Sequence, residues 1–411
     1  MSAHPLLVVG NGMAGQRLLG ELAARGSARG ALAVGAEPHP AYNRILLSKV
    51  VAGETTSDAI CLAERDWYAQ HGIALVTGDA VVAIDRAART ATTQAGRTIG
   101  YERLVLATGS RPIRLPLPGA DLAGVFAFRD RSDADALAAV PRGAKAVVIG
   151  GGLLGLEAAA GLATRGLKVS LIHLMPDLME RQLDEAAASL LAKAVAARGI
   201  ALYLAARTQA ILGEGGKVGA VRLADGAEIE ADLVVQAVGV APEIDLARKA
   251  GLSCARGIVV DDGLTTSDPA IFALGECAEH RGQTFGLVGP IWDQARILAD
   301  RLCGGAQVYT GSSVATSLKV SGVDLFSAGS VREAADAETL VFNDPAERVY
   351  RKLVIRDGRL AGAVLYGDAA DGPWFAELIA AGTPVGAWRD GLIFGRDYVD
   401  MRPVELRRAA E

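Results

Sequence analysis

LLVVGNGMAGQRLLGELAARG, residues 6–26, decides the fold. An apolar run meets Gly10-x-Gly12-x-x-Gly15 and passes directly into an amphipathic helical pattern; a second apolar run, ALAVGAE at 31–37, follows. The plan is a strand, a helix and a strand. In such a loop the first glycine makes the tight turn, the second lets the backbone approach a pyrophosphate, and the third permits close helix–strand packing. The helix N-terminus faces the phosphates, along with the intervening Asn11, Met13 and Ala14. Glu37 closes the second strand, where a carboxylate can accept from ribose hydroxyls.

The plan occurs twice. AVVIGGGLLGLEAAAGLATRG, residues 146–166, carries Gly150-x-Gly152-x-x-Gly155 and is followed by KVSLIH at 168–173. Leu153 and Leu154 open its helix. His173 stands at the strand end here, where the first unit has Glu37. Roughly ninety residues beyond each fingerprint lies an apolar strand ending in glycine: LVLATG, with Ala107, Thr108 and Gly109, and LVVQAVG, ending at Gly239. Duplication of the whole plan predicts two Rossmann-like dinucleotide-binding domains. Pro/Gly-rich punctuation at 110–119 and 238–243 marks the crossings between them. The predicted division is 1–112 with 241–308 as one discontinuous domain, 113–240 as the second, and 309–411 as a C-terminal α+β domain. Within this last part Asp357-Gly358 between apolar runs signals a hairpin.

Composition narrows the function. The chain has 411 residues, a formal charge of -5 and no basic block, so neither nucleic acid nor an acidic membrane surface is an expected partner. The first residues have no basic region, and their apolar run breaks at Gly10, which predicts a cytoplasmic protein. Cys61, Cys254, Cys277 and Cys303 are far apart, and the five histidines are scattered; no metal site is expected. Redox chemistry would have to come from a bound cofactor.

LVLATGSRP (104–112) and TSDPAIFALGECAEH (266–280), joined to the two fingerprints, resemble the pyridine nucleotide-disulfide oxidoreductase superfamily, of glutathione-reductase-like fold. Within it, VVGNGMAGQRLL, HPAYNRILLSKV, HLMPDLMERQLD, ALGECAEHRGQTFGLVGPIWDQA and YTGSSVATSLKVSGVDLFSAG are similar to the flavin module of assimilatory NAD(P)H-nitrite reductase large subunits and of the electron-transfer subunit of assimilatory nitrate reductase.

The resemblance implies one FAD domain, one NAD(P)H domain and a C-terminal interface domain. It implies that Thr108 and Gly109 lie by the flavin nucleotide, that Glu276 holds the ribityl chain, and that Lys49 and Glu157 form an ion pair beside flavin N5. It also places Lys319 where the C-terminal domain nears the flavin, and Val81 by the adenine. Arg44 and Arg129 are candidates for the FAD phosphates. A helix starting near Pro290 would face the flavin, with Trp292 as a neighbour. The segment matching PAYNRILLSKV lacks the cysteines that thiol-relay members carry there, so thiol relay is not expected, and the chain should not reduce nitrite by itself. The expected activity is electron transfer from NADH, with NADPH the alternative, through FAD to an iron-sulfur, molybdenum or sirohaem protein. A ferredoxin or rubredoxin reductase serving an oxygenase is the rival, and a non-catalytic redox-sensing flavoprotein is the reading from another class.

Overall fold

In the computed structural model, which describes residues 3–312, 315–320, 322–331 and 336–401, the first fingerprint joins strand His4–Val9 to helix Met13–Ala24. Strands Ala74–Thr77, Leu32–Gly35, His4–Val9, Thr98–Leu106 and Ile271–Ala273 lie side by side and parallel. Their inner members are buried on both faces, which is why they read as unbroken apolar runs. An antiparallel ribbon, Val81–Asp85 with Thr90–Thr93, continues from the start of Thr98–Leu106.

The second unit repeats this arrangement. Ala201–Tyr203, Lys168–Ile172, Lys145–Ile149, Leu233–Gln236 and Val125–Ala127 form its parallel sheet, and Thr208–Glu214, Lys217–Leu223 and Glu228–Glu230 its antiparallel appendage. The outer strand beside the crossing strand is supplied differently in the two. In the first sheet it is Ile271–Ala273, which follows the whole second unit in the chain; in the second it is Val125–Ala127, which precedes its own fingerprint. The chain therefore goes out and comes back, and a two-stranded ribbon of Ser110–Pro112 against Val240–Pro242 ties the two passages together.

Residues beyond 314 form a five-stranded antiparallel sheet ordered Ala315–Val320, Val323–Gly329, Arg359–Tyr366, Val349–Arg356, Glu338–Asp344. Helix Gly372–Ala381 packs on it, with Gly372 over the Phe326 ring. The hairpin expected at Asp357-Gly358 is there: Arg356 pairs with Arg359, and both loop residues have positive φ, 51° and 69°, as a two-residue type I′ turn requires. The observed architecture is thus α/β, two Rossmann-like sheets plus a C-terminal α+β sheet.

Polar contacts fix the C-terminal sheet to the second unit. Tyr350 donates to Asp184 Oδ2 at 2.6 Å, buried Lys352 lies 3.3 Å from the same atom, and Ser327 donates to the Gln182 carbonyl at 2.6 Å. Helix Val288–Leu302 starts two residues earlier than the sequence suggests. Pro290 falls in the first turn, where its missing N–H is not required. Among the described residues no helix is long and apolar enough to cross a membrane.

Each fingerprint depends on one steric condition. A Cβ on Gly15 would sit 2.2 Å from the Gly10 carbonyl oxygen, and one on Gly155 would sit 2.0 Å from that of Gly150. The obstacle is backbone, which cannot swing aside. Gly155→Ala is expected to destabilise the fold by about 1–3 kcal/mol through overpacking, and Gly152→Ala, which meets nothing within 4 Å, by far less. Chemical denaturation of both variants checks this, and equal losses would exclude it.

Candidate functional site

Both fingerprints open onto one cavity of about 1230 Å³. Its wall at one end is made by Gly10–Ala14, Gly35–Glu37, Arg44, Ala107–Ser110, Arg129 and Glu276. At the other end are Gly150–Leu154, His173–Met175, Glu180–Gln182, Ala206–Thr208 and Ala237–Val240. Glu157, Gly286–Gly289 and Trp292 also line the cavity.

The two loops share their construction. Gly10 and Gly150 have φ of 108° and 123°, and a Cβ on either would strike the carbonyl of Ala107 at 2.1 Å or of Ala237 at 2.3 Å. Each loop is thus pressed onto the end of its crossing strand, where the ATG and AVG phrases lie. Gly12 and Gly152 are the N-caps of helices Met13–Ala24 and Leu153–Thr164; neither helix has a side-chain cap, and an added Cβ at either glycine would find nothing within 4 Å. Uncapped N–H groups over open space are what a pyrophosphate needs. Asn11 adds a buried amide nitrogen without an internal partner, while its oxygen accepts from Tyr68 at 3.0 Å. These residues fit a dinucleotide at each loop.

The acids and bases at the first end neutralise each other. Glu37 accepts from the Tyr42 hydroxyl at 2.6 Å and from Arg44. The Arg44 guanidinium lies over the Tyr42 ring and donates to the Arg129 carbonyl at 2.9 Å. Burial, and then the Glu37 carboxylate, raise the Tyr42 phenol. Glu276 accepts from Ser110 Oγ at 2.7 Å and pairs with Arg129. Arg129 therefore sits at the Glu276 side of the cavity and Arg44 at the Glu37 side, both on its wall. Thr108 is anchored by donating to the Glu243 carbonyl at 2.6 Å.

Glu157 has no such partner. Burial alone raises its carboxyl from 4.5 to about 7. The ion pair with Lys49 implied by resemblance is not formed: Lys49 is exposed on helix Leu47–Ala52 and outside the cavity wall. The two helices do pack together, Gly161 leaving room for the Ser48 carbonyl. Val81, at the start of its strand, packs on the core and is likewise outside the wall. Lys319 lies on strand Ala315–Val320, and its side chain is outside the described residues. Gly15 and Gly155 support the loops from behind. No cysteine lines the cavity, and among the described residues no cluster could hold a metal ion.

Sequence reasoning missed Glu180. Its Oε2 lies 3.2 Å from His173 Nε2, and His173 Nδ1 accepts from the Gly151 N–H at 3.0 Å. No spacing rule marks it, because a turn at Met179 brings it to the strand end. Trp292, by contrast, is at the wall, with Arg17 over its ring at 5.5 Å.

Comparison with known proteins agrees with this geometry. Residues 4–295 match the family model "Pyridine nucleotide-disulphide oxidoreductase", and residues 315–383 match "Rubredoxin NAD+ reductase C-terminal domain". The chain is 47% identical over 375 residues to nitrite reductase [NAD(P)H] of Bacillus subtilis, covering 90% of this chain and 46% of that protein. It is 43% identical over 374 residues to the assimilatory nitrate reductase electron transfer subunit of the same organism, covering 90% and 48%. The chain thus spans about half the length of these curated relatives. A solved ferredoxin reductase from Rhodopseudomonas palustris superposes with a TM-score of 0.82 at 30% identity over 99% of both chains.

The raised Glu157 carboxyl has a measurable consequence. Below pH 4.5 it is protonated in both folded and unfolded chains and costs nothing. Between 4.5 and about 7 only the unfolded chain ionises, so stability falls as pH rises; above 7 the penalty is constant, about 3 kcal/mol at most. Glu157→Gln should melt with the parent at pH 4.5 and increasingly above it towards pH 8. A difference that does not change with pH would refute the assignment.

Proposed function

The chain belongs to the pyridine nucleotide-disulphide oxidoreductase family and is an FAD- and NAD(P)H-dependent oxidoreductase, and we propose that it carries electrons from NADH to a redox protein of nitrate or nitrite assimilation. The observation that carries this reading is the single cavity reached by both glycine loops, which allows two dinucleotides to meet with their rings at its middle. We assign FAD to residues 1–112 with 241–308, NAD(P)H to 113–240, and the interface role to 309–411.

When bound, the flavin supplies the chemistry, since it accepts two electrons as a hydride and releases them singly. The chain's own residues do the rest. Gly10, Gly12 and the N–H groups of Met13 and Ala14 hold one pyrophosphate; Gly150, Gly152, Leu153 and Leu154 hold the other. Glu37, Arg44, Arg129, Thr108, Gly109 and Glu276 orient the FAD end, and His173 and Gly239 belong to the nicotinamide nucleotide. Glu157 reaches the middle of the cavity, and Lys49 pairs with it once a ligand fills the space. Lys319 completes the FAD surroundings.

The acceptor follows from the relatives. Likeness to the nitrate reductase electron transfer subunit and to nitrite reductase favours an iron-sulfur, molybdenum or sirohaem protein in the cytoplasm. A second reading, reduction of ferredoxin or rubredoxin, is favoured by the C-terminal match to rubredoxin reductases and by the superposition on a ferredoxin reductase.

Anaerobic stopped-flow absorbance tests the shared half-reaction. Flavin absorbance near 450 nm should bleach quickly with NADH and more slowly with NADPH. No bleaching, or bleaching too slow for turnover, would leave only a nucleotide-binding flavoprotein. Adding a small ferredoxin or rubredoxin to the reduced protein then separates the readings, because fast reoxidation by either supports the second. The two loops should also separate in mutants. Gly12→Ala is expected to yield folded protein with reduced flavin content, and Gly152→Ala flavin-replete protein with a KM for NADH raised about tenfold or more; the reverse pattern would exchange the assignments.

A further inference from the structure

Strand Lys168–Ile172 ends at His173, in the register position that Gly35 holds in the first unit, two residues before Glu37. A ribose there would meet an imidazole, and yet the fold returns a carboxylate to the same place. Met179 takes a left-handed conformation, φ 52°, while its N–H donates to the Gly151 carbonyl at 3.0 Å. That strained turn sends Glu180 back to the strand end, 3.2 Å from His173 Nε2.

His173 is set up to receive it. Its Nδ1 accepts from the Gly151 N–H, so Nε2 carries the proton of the neutral ring and donates to Glu180. The ring is buried against the fingerprint so closely that a Cβ on Gly151 would meet it at 2.6 Å. The middle residue of GGG is therefore shaped to seat His173. The other end of the segment is anchored as well: Ser327 holds the Gln182 carbonyl, and Tyr350 with Lys352 holds Asp184. Glu180 is thus fixed from both sides and lines the cavity.

We propose that Glu180 is the carboxylate that accepts hydrogen bonds from the adenosine ribose hydroxyls of the nicotinamide nucleotide, that His173 is its positioning residue, and that the pair selects NADH over NADPH. A carboxylate accepts from a free 2′-hydroxyl and repels a 2′-phosphate. Arg181 and Arg207 line the same end but are exposed, where water and salt weaken their claim on a phosphate. The inference rests on the reading that the second loop holds the nicotinamide nucleotide.

The test uses ligands without a nicotinamide ring. Calorimetric titration of the flavin-loaded protein with ADP-ribose and with its 2′-phospho form should show tighter binding of the first. Glu180→Gln should lose about tenfold in ADP-ribose affinity, the usual loss when a charged acceptor is removed, and the ratio of kcat/KM for NADH over NADPH should fall by a similar factor. His173→Leu should reproduce the loss in KM and not in kcat, and His173→Gln, whose amide can accept from Gly151 and donate to Glu180, should restore most of it. Where Glu180→Gln fails to retain flavin or melts early, Glu180→Asp, which keeps the charge and shortens the reach, gives the same comparison. Unchanged ADP-ribose affinity in folded Glu180→Gln would overturn the proposal, as would tighter binding of the 2′-phospho form that is lost in Arg181→Ala or Arg207→Ala. A protein that binds ADP-ribose through Glu180 but whose flavin NADH does not reduce would uphold this inference and remove the reductase reading.

Discussion

The contact on which the molecule depends is the seating of each fingerprint's first glycine on the carbonyl that ends the crossing strand, Gly10 on Ala107 and Gly150 on Ala237. With no Cβ, the loop comes down onto the sheet. With the third glycine also bare, the helix comes down onto the loop. The helix N-terminus is then fixed, uncapped and aimed at open space. One steric allowance thereby sets strand order, helix placement and anion affinity together. Because the crossing strands also lead into the Ser110–Pro112 and Val240–Pro242 ribbon, the same contact holds the two loops at the two ends of one cavity.

The C-terminal sheet touches the cavity at Ala315 and also acts on the site at a distance. It does not reach the second glycine loop through its polar struts; it grips Gln182 and Asp184. These lie two and four residues beyond Glu180, so the sheet buttresses the stretch between the second unit's second strand and the helix Glu185–Ala197 that Asp184 caps. Lys352 and Asp184 are both largely buried, an ion pair that would be costly to break by removing one partner. The geometry of a short loop in one domain is in this way set by packing in another.

What could be read from the sequence follows from how local each feature is. The two strand–loop–helix units, the crossing ribbons and the Asp357-Gly358 hairpin are each specified within a few residues by apolar periodicity and by glycines of fixed spacing. Glu180 was not legible, because its place depends on a left-handed non-glycine residue, Met179, and on contacts from residues about 145 and 170 positions further on. The Lys49–Glu157 pair could be expected by resemblance, and the helices that carry both residues do pack; what the sequence could not give is that Lys49 stands exposed, outside the cavity wall. Val81 shows the same limit: its strand was set by local pattern, but whether it reaches the cavity depends on the twist of a whole ribbon.

Charge is graded along the cavity, and the grading follows from the fold. At the end of the first glycine loop each carboxylate has its own arginine, Glu37 with Arg44 and Glu276 with Arg129. At the far end Glu180 accepts from the Nε2 of His173, which positions the carboxylate at the strand end. Among the described residues Glu157, also on the cavity wall, has no cation partner, and burial holds it near neutrality. A carboxyl poised near pH 7 is neutral where its surroundings are dry and ionises when a cation comes near. Among the described residues that line the cavity, Glu37 and Glu276 are thus paired with arginines, while Glu157 is held near neutrality by burial.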